Sequence, residues 1–422
     1  MYDFVSVVDR AGKGAAKWED MKKKHPNLPP GVIPLSVADM EFTTAPEITQ
    51  GLTEYLKDLV LGYTVPTPAY YEAVCGWMKK RHNWDIDSGW IVTSDGVVSA
   101  LFNAVRAFTK PGDGIIILAP VYYPFYRAVE ANGRKVAASN LMTKDGRYTV
   151  DYDDLEARAK EKENTLLIFC SPHNPVGRVW DREELERVGK ICIENRVTVV
   201  SDEIHFDVVL PGYTHTVFAS MNEDFAQNTV TCTAPSKTFN LAGLQTSNII
   251  IKNENLRKAF TEAQALHGGH SMLNIFGYKA CEIAYTRCEK WLEEFLGVLD
   301  QNRRIAEDFF QKKPMGIRVS RLEGTYLQWW DCRALGMDCG ELERFMVNEA
   351  LLFLDEGRIF GGPGKGFERI NLACPSAVLE AALLRFRDAL ERRARVYRTW
   401  KDRGNSFSVR REAMWNRGPI QP

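Results

Sequence analysis

Two short segments carry side chains that could do chemistry directly after a predicted buried strand. Lys237 lies in Ala234–Gly243, a run of small and apolar residues that follows the strand 229–233. A lysine in such surroundings loses hydration, and its amine becomes a nucleophile suited to Schiff-base chemistry. A surface lysine is the alternative, but the apolar context does not suit it. Asp202 similarly follows the strand 197–200, where a carboxylate is costly unless it has a cationic partner.

Two further segments could bind polar groups of a ligand. Ser171–Gly177 places Asn174 between two prolines, so that its amide can donate and accept hydrogen bonds from a rigid turn. A purely structural turn explains that segment equally well. Ser94–Val98 begins a predicted helix, where free N–H groups and the helix dipole favour a phosphate. Pyridoxal phosphate (PLP) needs all four features together: a lysine, an acid for its ring nitrogen, a donor for its ring oxygen and a phosphate site.

Short apolar runs without alternation predict strands that are buried on both faces. Helices separate several of them: Asp181 and Glu184 form a capping-box pattern that begins one ending near Asn195, and Ser94 precedes another from Gly96 to Thr109. This alternation predicts an α/β fold with a mainly parallel sheet between helices. The predicted strands are Ile115–Leu118, Leu166–Cys170, Val197–Val200, Thr229–Thr233 and Asn248–Ile251.

The pattern changes at Arg287, where apolar residues recur with helical spacing up to Lys313 and predict one long amphipathic helix. A smaller α+β domain is predicted to follow, with strands Thr325–Trp330 and Arg369–Ala373 and helices Glu341–Leu354 and Ala377–Arg395. The loop Gly361–Gly366 precedes a strand, so it is not a P-loop. We expect residues 1–45 to pack on the small domain, 46–286 to form the large PLP-binding domain, 287–395 the small domain, and 396–422 a basic tail, either solvated or anion-binding.

The composition excludes several classes of function. Lys and Arg number 54 against 55 Asp and Glu, and this balance gives no electrostatic reason to expect nucleic acid or an anionic membrane as a partner. No apolar run is long enough to span a bilayer, and no signal peptide is recognisable. The nine cysteines are dispersed and contain no C-x-x-C pair, as in a reduced, cytoplasmic protein. No metal site is expected, and His173, His267 and His270 are interpreted as structural.

The chain resembles fold-type I PLP-dependent enzymes of the aminotransferase class I/II group, and within it the MalY/PatB-type cystathionine β-lyases. The resemblance implies a large domain with a seven-stranded, mainly parallel sheet and a smaller α+β domain. The segments that carry it extend from about residue 30 to 375. They are Ser36–Phe42, Gly62–Thr64, Pro120–Pro124, Ser171–Gly177, Ser201–His205, Ser236–Gly243, Glu323–Tyr326 and Phe367–Asn371.

The resemblance also implies a role for each matching residue. Lys237 would hold PLP and act as the catalytic base, and Asp202 would pair with the pyridine nitrogen. Other cofactor contacts are implied for Asn174 (ring oxygen), Tyr122 (ring face, with Tyr123 as a competitor), Gly96, Val97 and Ser236 (phosphate), and His205.

Substrate and subunit contacts follow from the same resemblance. Arg369 would bind the substrate carboxylate, with a structural ion pair between domains as the alternative, and Ala38 and Tyr122 would also contact the substrate. Tyr63 would reach the phosphate of a neighbouring subunit, which implies a homodimer with shared sites, although a Gly-Tyr-Thr turn can be purely structural.

Two positions depart from patterns of the larger group, and a third departs from the lyase branch. His205 stands where many aminotransferases have tyrosine, and this histidine is typical of the lyase branch. Gln245 replaces an arginine and removes one positive charge from the phosphate site. Ser376 stands where the lyase branch often has arginine.

The expected activity is α,β-elimination from L-cystathionine or related S-substituted L-cysteines, which yields pyruvate, ammonia and a thiol. A PLP-dependent aminotransferase is the main alternative. A regulatory or binding role, beside or instead of catalysis, is a further one.

Overall fold

The computed structural model of the chain describes residues 1–266, 274–312 and 315–402, without the side chains of 397–402. His267, His270 and most of the predicted basic tail therefore lie outside the described residues. The strands are β1 Ile91–Ser94, β2 Gly114–Ala119, β3 Lys135–Asn140, β4 Met142–Lys144, β5 Arg147–Thr149, β6 Asn164–Cys170, β7 Thr198–Asp202, β8 Thr229–Thr233, β9 Ser247–Ile250, β10 Arg318–Val319, β11 Leu327–Asp331, β12 Asp355–Glu356 and β13 Phe367–Asn371.

The helices cover both faces of the main sheet and flank the smaller one. None of those in the described ranges is long and apolar enough to cross a membrane. They are α1 Ala16–Lys24, α2 Pro46–Leu56, α3 Pro68–His82, α4 Val97–Phe108, α5 Pro124–Glu130, α6 Tyr152–Lys160, α7 Arg182–Glu194, α8 Glu223–Gln227, α9 Pro235–Thr238, α10 Glu254–Leu266, α11 Ile275–Arg287, α12 Glu289–Lys312, α13 Cys339–Arg344 and α14 Ser376–Asp402.

The main sheet has seven strands in the order β1-β9-β8-β7-β6-β2-β3. Five of them, β8, β7, β6, β2 and β3, are parallel neighbours, and β9 is antiparallel to both β8 and β1. The predicted α/β class and mainly parallel sheet are confirmed. Because β6 and β7 run in the same direction, the segments that follow Cys170 and Asp202 emerge at one edge of the sheet.

The capping box predicted at Asp181 is confirmed. The Asp181 carboxylate accepts the backbone N–H of Glu184, and the Glu184 carboxylate accepts the N–H of Asp181, so that α7 begins with two otherwise unpaired donors satisfied. The long helix predicted over Arg287–Lys313 is confirmed as α12, which begins two residues later than predicted because α11 ends at Arg287 and Cys288 leaves helical geometry between the two helices. Lys313 lies outside the described residues.

A four-stranded antiparallel sheet, β10-β11-β13-β12, forms the centre of the C-terminal part. Adjacent residues of β11 point to opposite faces, and both of its tryptophans are buried. Trp329 stacks on Phe367, whereas Trp330 packs against Phe310 and Phe386. The two faces of this sheet therefore contribute to separate hydrophobic clusters.

The helix predicted over Glu341–Leu354 is wrong beyond Glu349. A π-helical turn ends at Glu349, Leu351 adopts a left-handed conformation with φ 51°, and the chain then extends into β12. A tertiary contact accompanies this change: the Phe353 carbonyl accepts the N–H of Leu35 from the N-terminal segment.

The N-terminal segment forms backbone hydrogen bonds with the C-terminal part. Leu35 bonds to Phe353 and Asn371, and the N–H of Glu41 donates to the carbonyl of Ala373. Phe4 packs against both Trp291 and Phe295 of α12. These contacts agree with the expectation that residues 1–45 pack on the small domain, although the four proposed boundaries stay predictions.

Replacement of the Trp330 side chain tests the importance of this packing. Trp330→Ala should lower the free energy of unfolding by about 3–5 kcal/mol, because a large, fully buried ring is removed and the cavity cannot close completely. Urea denaturation of the purified protein measures this change. The exposed Leu384→Ala on α14 is the control and should stay within about 0.5 kcal/mol of wild type. An equal decrease in the free energy of unfolding of both variants would contradict the buried position of Trp330.

Candidate active site

A cavity of about 310 Å³ lies at the strand ends, between the turns that follow β6, β7 and β8. Arg369 and Tyr63 are the two predicted site residues that do not line it. Those that do are Ala38, Gly96, Val97, Tyr122, Asn174, Asp202, His205, Ser236 and Lys237.

Lys237 lies on the short helix α9, which begins two residues after β8. Its ammonium donates a hydrogen bond of 2.7 Å to the carbonyl of Ala38. Burial, together with the nearby Arg369 guanidinium, lowers the pKa of the Lys237 amine from 10.5 to about 8. A much larger fraction of this amine is therefore neutral and nucleophilic at neutral pH than of an exposed lysine.

Asp202 is the last residue of β7 and is almost completely buried. Burial raises the pKa of its carboxyl to about 7, and the neighbouring Glu203 adds to the rise. The backbone N–H of Ile204 donates to Oδ1 at 3.2 Å. A carboxyl in this state is stabilised as an anion only when a cation approaches it, so the position suits an acid that pairs with a protonated ring nitrogen.

The turn after β6 directs Asn174 into the cavity. Its Oδ1 accepts a hydrogen bond of 2.8 Å from Nη1 of Arg369. His173, one residue before, is fully buried and its Nε2 lies 2.9 Å from the carbonyl of Pro120, so it supports the turn. The interpretation of His173 as a structural residue agrees with this contact.

His205 contributes a second nitrogen base to the lining. Burial lowers the pKa of its imidazole well below the ordinary range, and Lys237 and Arg369 act in the same direction, so the ring is neutral. Its Nδ1 is buried and has no hydrogen-bond partner among the described residues. The ring edge packs against Tyr326, with the centroids 5.6 Å apart.

The start of α4 provides the anion-binding features. Gly96 is the residue before the helix and has φ 134°, which side-chain-bearing residues rarely adopt. No side chain caps this helix, so its first N–H groups are available to a ligand. Ser236, Gln245 and Asp95 line the same cavity.

The remaining predicted residues occupy distinct places. Tyr122 lines the cavity, whereas its competitor Tyr123 is not in the lining and packs against Phe360. Arg369 is 2% exposed and does not line the cavity, but it donates a hydrogen bond to Asn174, which does. Tyr63 is 98% exposed and does not reach the cavity of its own chain.

Several residues that line the cavity were not predicted from the sequence. Asp95, Ile204 and Cys170 adjoin or lie within predicted segments, so their proximity could have been inferred from the strand ends. Ser99 on α4 directly follows the predicted segment Ser94–Val98, so the same inference applies to it. The other missed residues are Val98, Ala242 and Thr246.

These donors and acceptors fit PLP. An amine and a carboxyl line one cavity, together with an imidazole whose Nδ1 has no hydrogen-bond partner among the described residues, and an uncapped helix start supplies N–H groups for a phosphate. Gln245 is neutral, so backbone groups and hydroxyls would carry more of the phosphate binding than in a site that has arginine there.

The pH dependence of Lys237 labelling tests its burial. In the folded, cofactor-free protein, modification of Lys237 by a small amine-reactive reagent should rise with a midpoint near pH 8, because the lowered pKa leaves the amine neutral above that value. Mass spectrometry of the labelled peptide gives the curve. The urea-unfolded chain is the control, and its midpoint should move to about 10.4, the ordinary lysine value. Coincident curves would contradict the buried position.

Comparisons with known proteins agree with this geometry. The family model described as aminotransferase class I and II matches residues 30–386. Cystathionine beta-lyase PatB of Bacillus subtilis is 42% identical over 385 residues, which are 90% of this chain and 98% of that protein. Protein MalY of Escherichia coli is 30% identical over 382 residues, which are 90% and 96% of the two chains.

A solved structure extends the similarity to three dimensions. The crystal structure of cystalysin from Treponema denticola, which contains a pyridoxal 5'-phosphate cofactor, superposes with a TM-score of 0.91 at 51% identity. The alignment covers 93% of this chain and 99% of cystalysin. With the family match over residues 30–386, this similarity leads to one conclusion: the chain is a member of the class I and II aminotransferase family.

Proposed function

We propose that the protein is a PLP-dependent carbon–sulfur β-lyase that acts on L-cystathionine or related S-substituted L-cysteines. The observation that carries the proposal is that the Lys237 amine and the Asp202 carboxyl, both with pKa values displaced by burial, line one cavity. The names of the relatives support the lyase activity, since PatB is a cystathionine beta-lyase. His205, typical of the lyase branch, also lines the cavity.

The lining residues divide the binding of the cofactor between them. Lys237 would hold PLP covalently, and Asp202 would keep a proton on the ring nitrogen. Asn174 would form a hydrogen bond with the ring oxygen, and His205 would contact the cofactor beside it. Tyr122 would cover a ring face. The phosphate would be held by the N–H groups of Gly96 and Val97 and by the Ser236 hydroxyl. When bound, PLP supplies an electron-withdrawing ring that stabilises negative charge at the substrate Cα.

Lys237 has a second role once the substrate amine has replaced it. The neutral amine, favoured by its lowered pKa, would remove the Cα proton of the substrate. Asp202, ionised beside a cationic ring nitrogen, would keep that nitrogen protonated throughout. The electron pair left at Cα would then form the Cα–Cβ double bond, while the Cβ–S bond breaks and a thiolate leaves with the electrons of that bond.

The substrate carboxylate would be bound by Arg369, with Ala38 and Tyr122 contacting the rest of the amino acid. The Arg369 guanidinium is planar and can bind a carboxylate through two N–H groups. Ala38 is well placed because its carbonyl already contacts Lys237. The overall charge of −1 fits a small zwitterionic substrate that needs one local cation and no basic surface.

Pyruvate release without a 2-oxo acid distinguishes a lyase from an aminotransferase. The holoenzyme with cystathionine alone should release pyruvate over many turnovers, because elimination consumes no acceptor. Lys237→Ala should lower the rate by at least about 10²–10⁴, the contribution of a positioned base. The exposed Lys258→Ala, remote from the cavity lining, is the control and should keep the wild-type rate. If turnover strictly required a 2-oxo acid, the protein would be an aminotransferase and the lyase proposal would fail.

The visible spectrum of the purified wild-type protein tests the regulatory alternative. A sample without the yellow absorbance of bound PLP would favour a regulatory or binding role.

We further propose a homodimer in which Tyr63 completes the partner's site. The single chain exposes a run of apolar side chains in this segment, at Val60, Leu61, Tyr63 and Val65, as expected of an interface. Because Tyr63 does not reach the cavity of its own chain, it could contribute only to the cavity of a second copy. A cytoplasmic location is also proposed, since all nine cysteines, which lie within the described ranges, are free thiols.

Subunit mixing tests the shared site. Tyr63→Ala and Lys237→Ala homodimers should both be impaired, whereas co-refolding an equal mixture should restore about a quarter of wild-type activity. The reason is that half of the dimers are hybrids, and each hybrid contains one site with both residues intact. No restoration would place Tyr63 in its own subunit's site or outside the sites.

A further inference from the structure

Arg369 is held by more groups than a substrate clamp alone requires. Its Nε and Nη2 donate to Oδ2 of Asp355 at 3.2 and 2.6 Å, and its Nη1 donates to Asn174. Its guanidinium also lies 4.7 Å from the ring centre of Phe360. The resemblance and the cavity lining assign no role to Asp355, whose side chain is 13% exposed.

Strand register explains why Asp355 stands here. Asp355 and Arg369 are directly opposite each other in the antiparallel pair β12–β13, so their side chains leave the sheet on the same face. The strand β12 can form because the preceding helix ends at Glu349 and the chain becomes extended after Leu351. The Asp355–Arg369 contact therefore depends on a strand that was not predicted from the sequence, where this segment has a helical pattern.

The Asp355 carboxylate is also held by a backbone group of the N-terminal segment. The backbone N–H of Val37 donates to the same Oδ2 at 2.8 Å. Val37 has φ 57°, a strained conformation for a β-branched residue, and the Asn371 amide donates to its carbonyl at 2.8 Å. The loop that carries Ala38 to the cavity thus orients Asp355, and Asp355 orients Arg369.

A count of donors shows what this arrangement leaves for a ligand. A guanidinium has five N–H groups, and the bonds to Asp355 and Asn174 engage one each on Nε, Nη2 and Nη1. Within the described parts of the chain, one N–H on Nη1 and one on Nη2 therefore have no protein acceptor. A carboxylate binds best to such a pair of donors.

We propose that Asp355 is a positioning residue for the substrate α-carboxylate: it fixes the Arg369 guanidinium along its Nε–Nη2 edge, so that the two remaining N–H groups are presented to the substrate. This inference rests on the proposed role of Arg369 in amino-acid binding. It opposes the simplest electrostatic expectation, in which an acidic neighbour only weakens the attraction of Arg369 for a second carboxylate.

Binding of L-alanine to the holoenzyme tests the proposal without requiring lyase turnover. The change in the visible absorbance of PLP gives the Kd for each variant. Asp355→Ala should raise this Kd by about tenfold or more, the effect of losing hydrogen bonds to a charged group. Asp355→Asn keeps an acceptor and should recover part of the loss. Glu356→Ala, the neighbouring residue of β12 with a side chain paired to Arg358, is the matched control and should leave the Kd unchanged.

The Arg369→Lys background shows whether Asp355 acts through Arg369. Lysine has no planar fork to orient, so adding Asp355→Ala there should change the Kd by less than about threefold. An unchanged or lower Kd for Asp355→Ala in the wild-type background would overturn the proposal, and so would an equally large loss in both backgrounds. If cystathionine yields no pyruvate but these Kd values behave as expected, the lyase assignment fails and the role of Asp355 stands.

Discussion

The cost of burying charge at the ends of parallel strands governs this site. Asp202 is the buried last residue of β7, and Lys237 stands four residues beyond the end of β8; within the described residues neither forms an ion pair. Their pKa values are displaced in opposite directions, toward about 8 and about 7, because burial disfavours the charged form of each. A protein that maintains such groups stores binding free energy for a ligand with a complementary aldehyde and ring nitrogen.

Rigid surroundings are needed to keep these groups apart from water and in place. A buried ion-pair network joins the turn of Asn174 to the C-terminal part: Arg178 donates to Glu323 at 2.7 Å, and the Glu323 carboxylate also accepts the N–H of Val179. On the other side, the Lys17 ammonium lies 2.8 Å from Glu41 and donates to the carbonyl of Asp39, next to Ala38. Both networks pair their charges, as burial requires.

The position of Asp355 connects the substrate side of the cavity to the same framework. The carboxylate receives hydrogen bonds from a loop near the N-terminus and from Arg369 of β13, which lie more than three hundred residues apart in sequence. A single side chain can therefore transmit the placement of the Ala38 loop to the cation proposed to bind the substrate. A fixed orientation of the Arg369 guanidinium favours substrate binding more than an additional positive charge would, because the substrate has only one α-carboxylate to bind.

Features that depend on a local pattern of residues could be predicted without the structure. Buried β-branched runs predicted the central strands to within about two residues, and the segments at their ends predicted Lys237, Asp202 and Asn174 as neighbours, because parallel strands end at one edge of a sheet. The capping box at Asp181 is equally local. Recognition of a known family added the positions of Tyr122, His205 and Ala38, which now line the same cavity.

Other features depend on contacts between distant segments and could not be predicted in this way. The apolar run 351–354 reads as a helix, yet a backbone bond from Leu35 to Phe353 accompanies its extension into β12 and the opposition of Asp355 to Arg369. Tyr63 has a turn-like context in the sequence, and only its exposure shows that it cannot serve its own cavity. The physical reason is common to these cases: contacts between distant segments, once formed, outweigh local preferences worth at most about 1 kcal/mol per residue, and no local pattern encodes them.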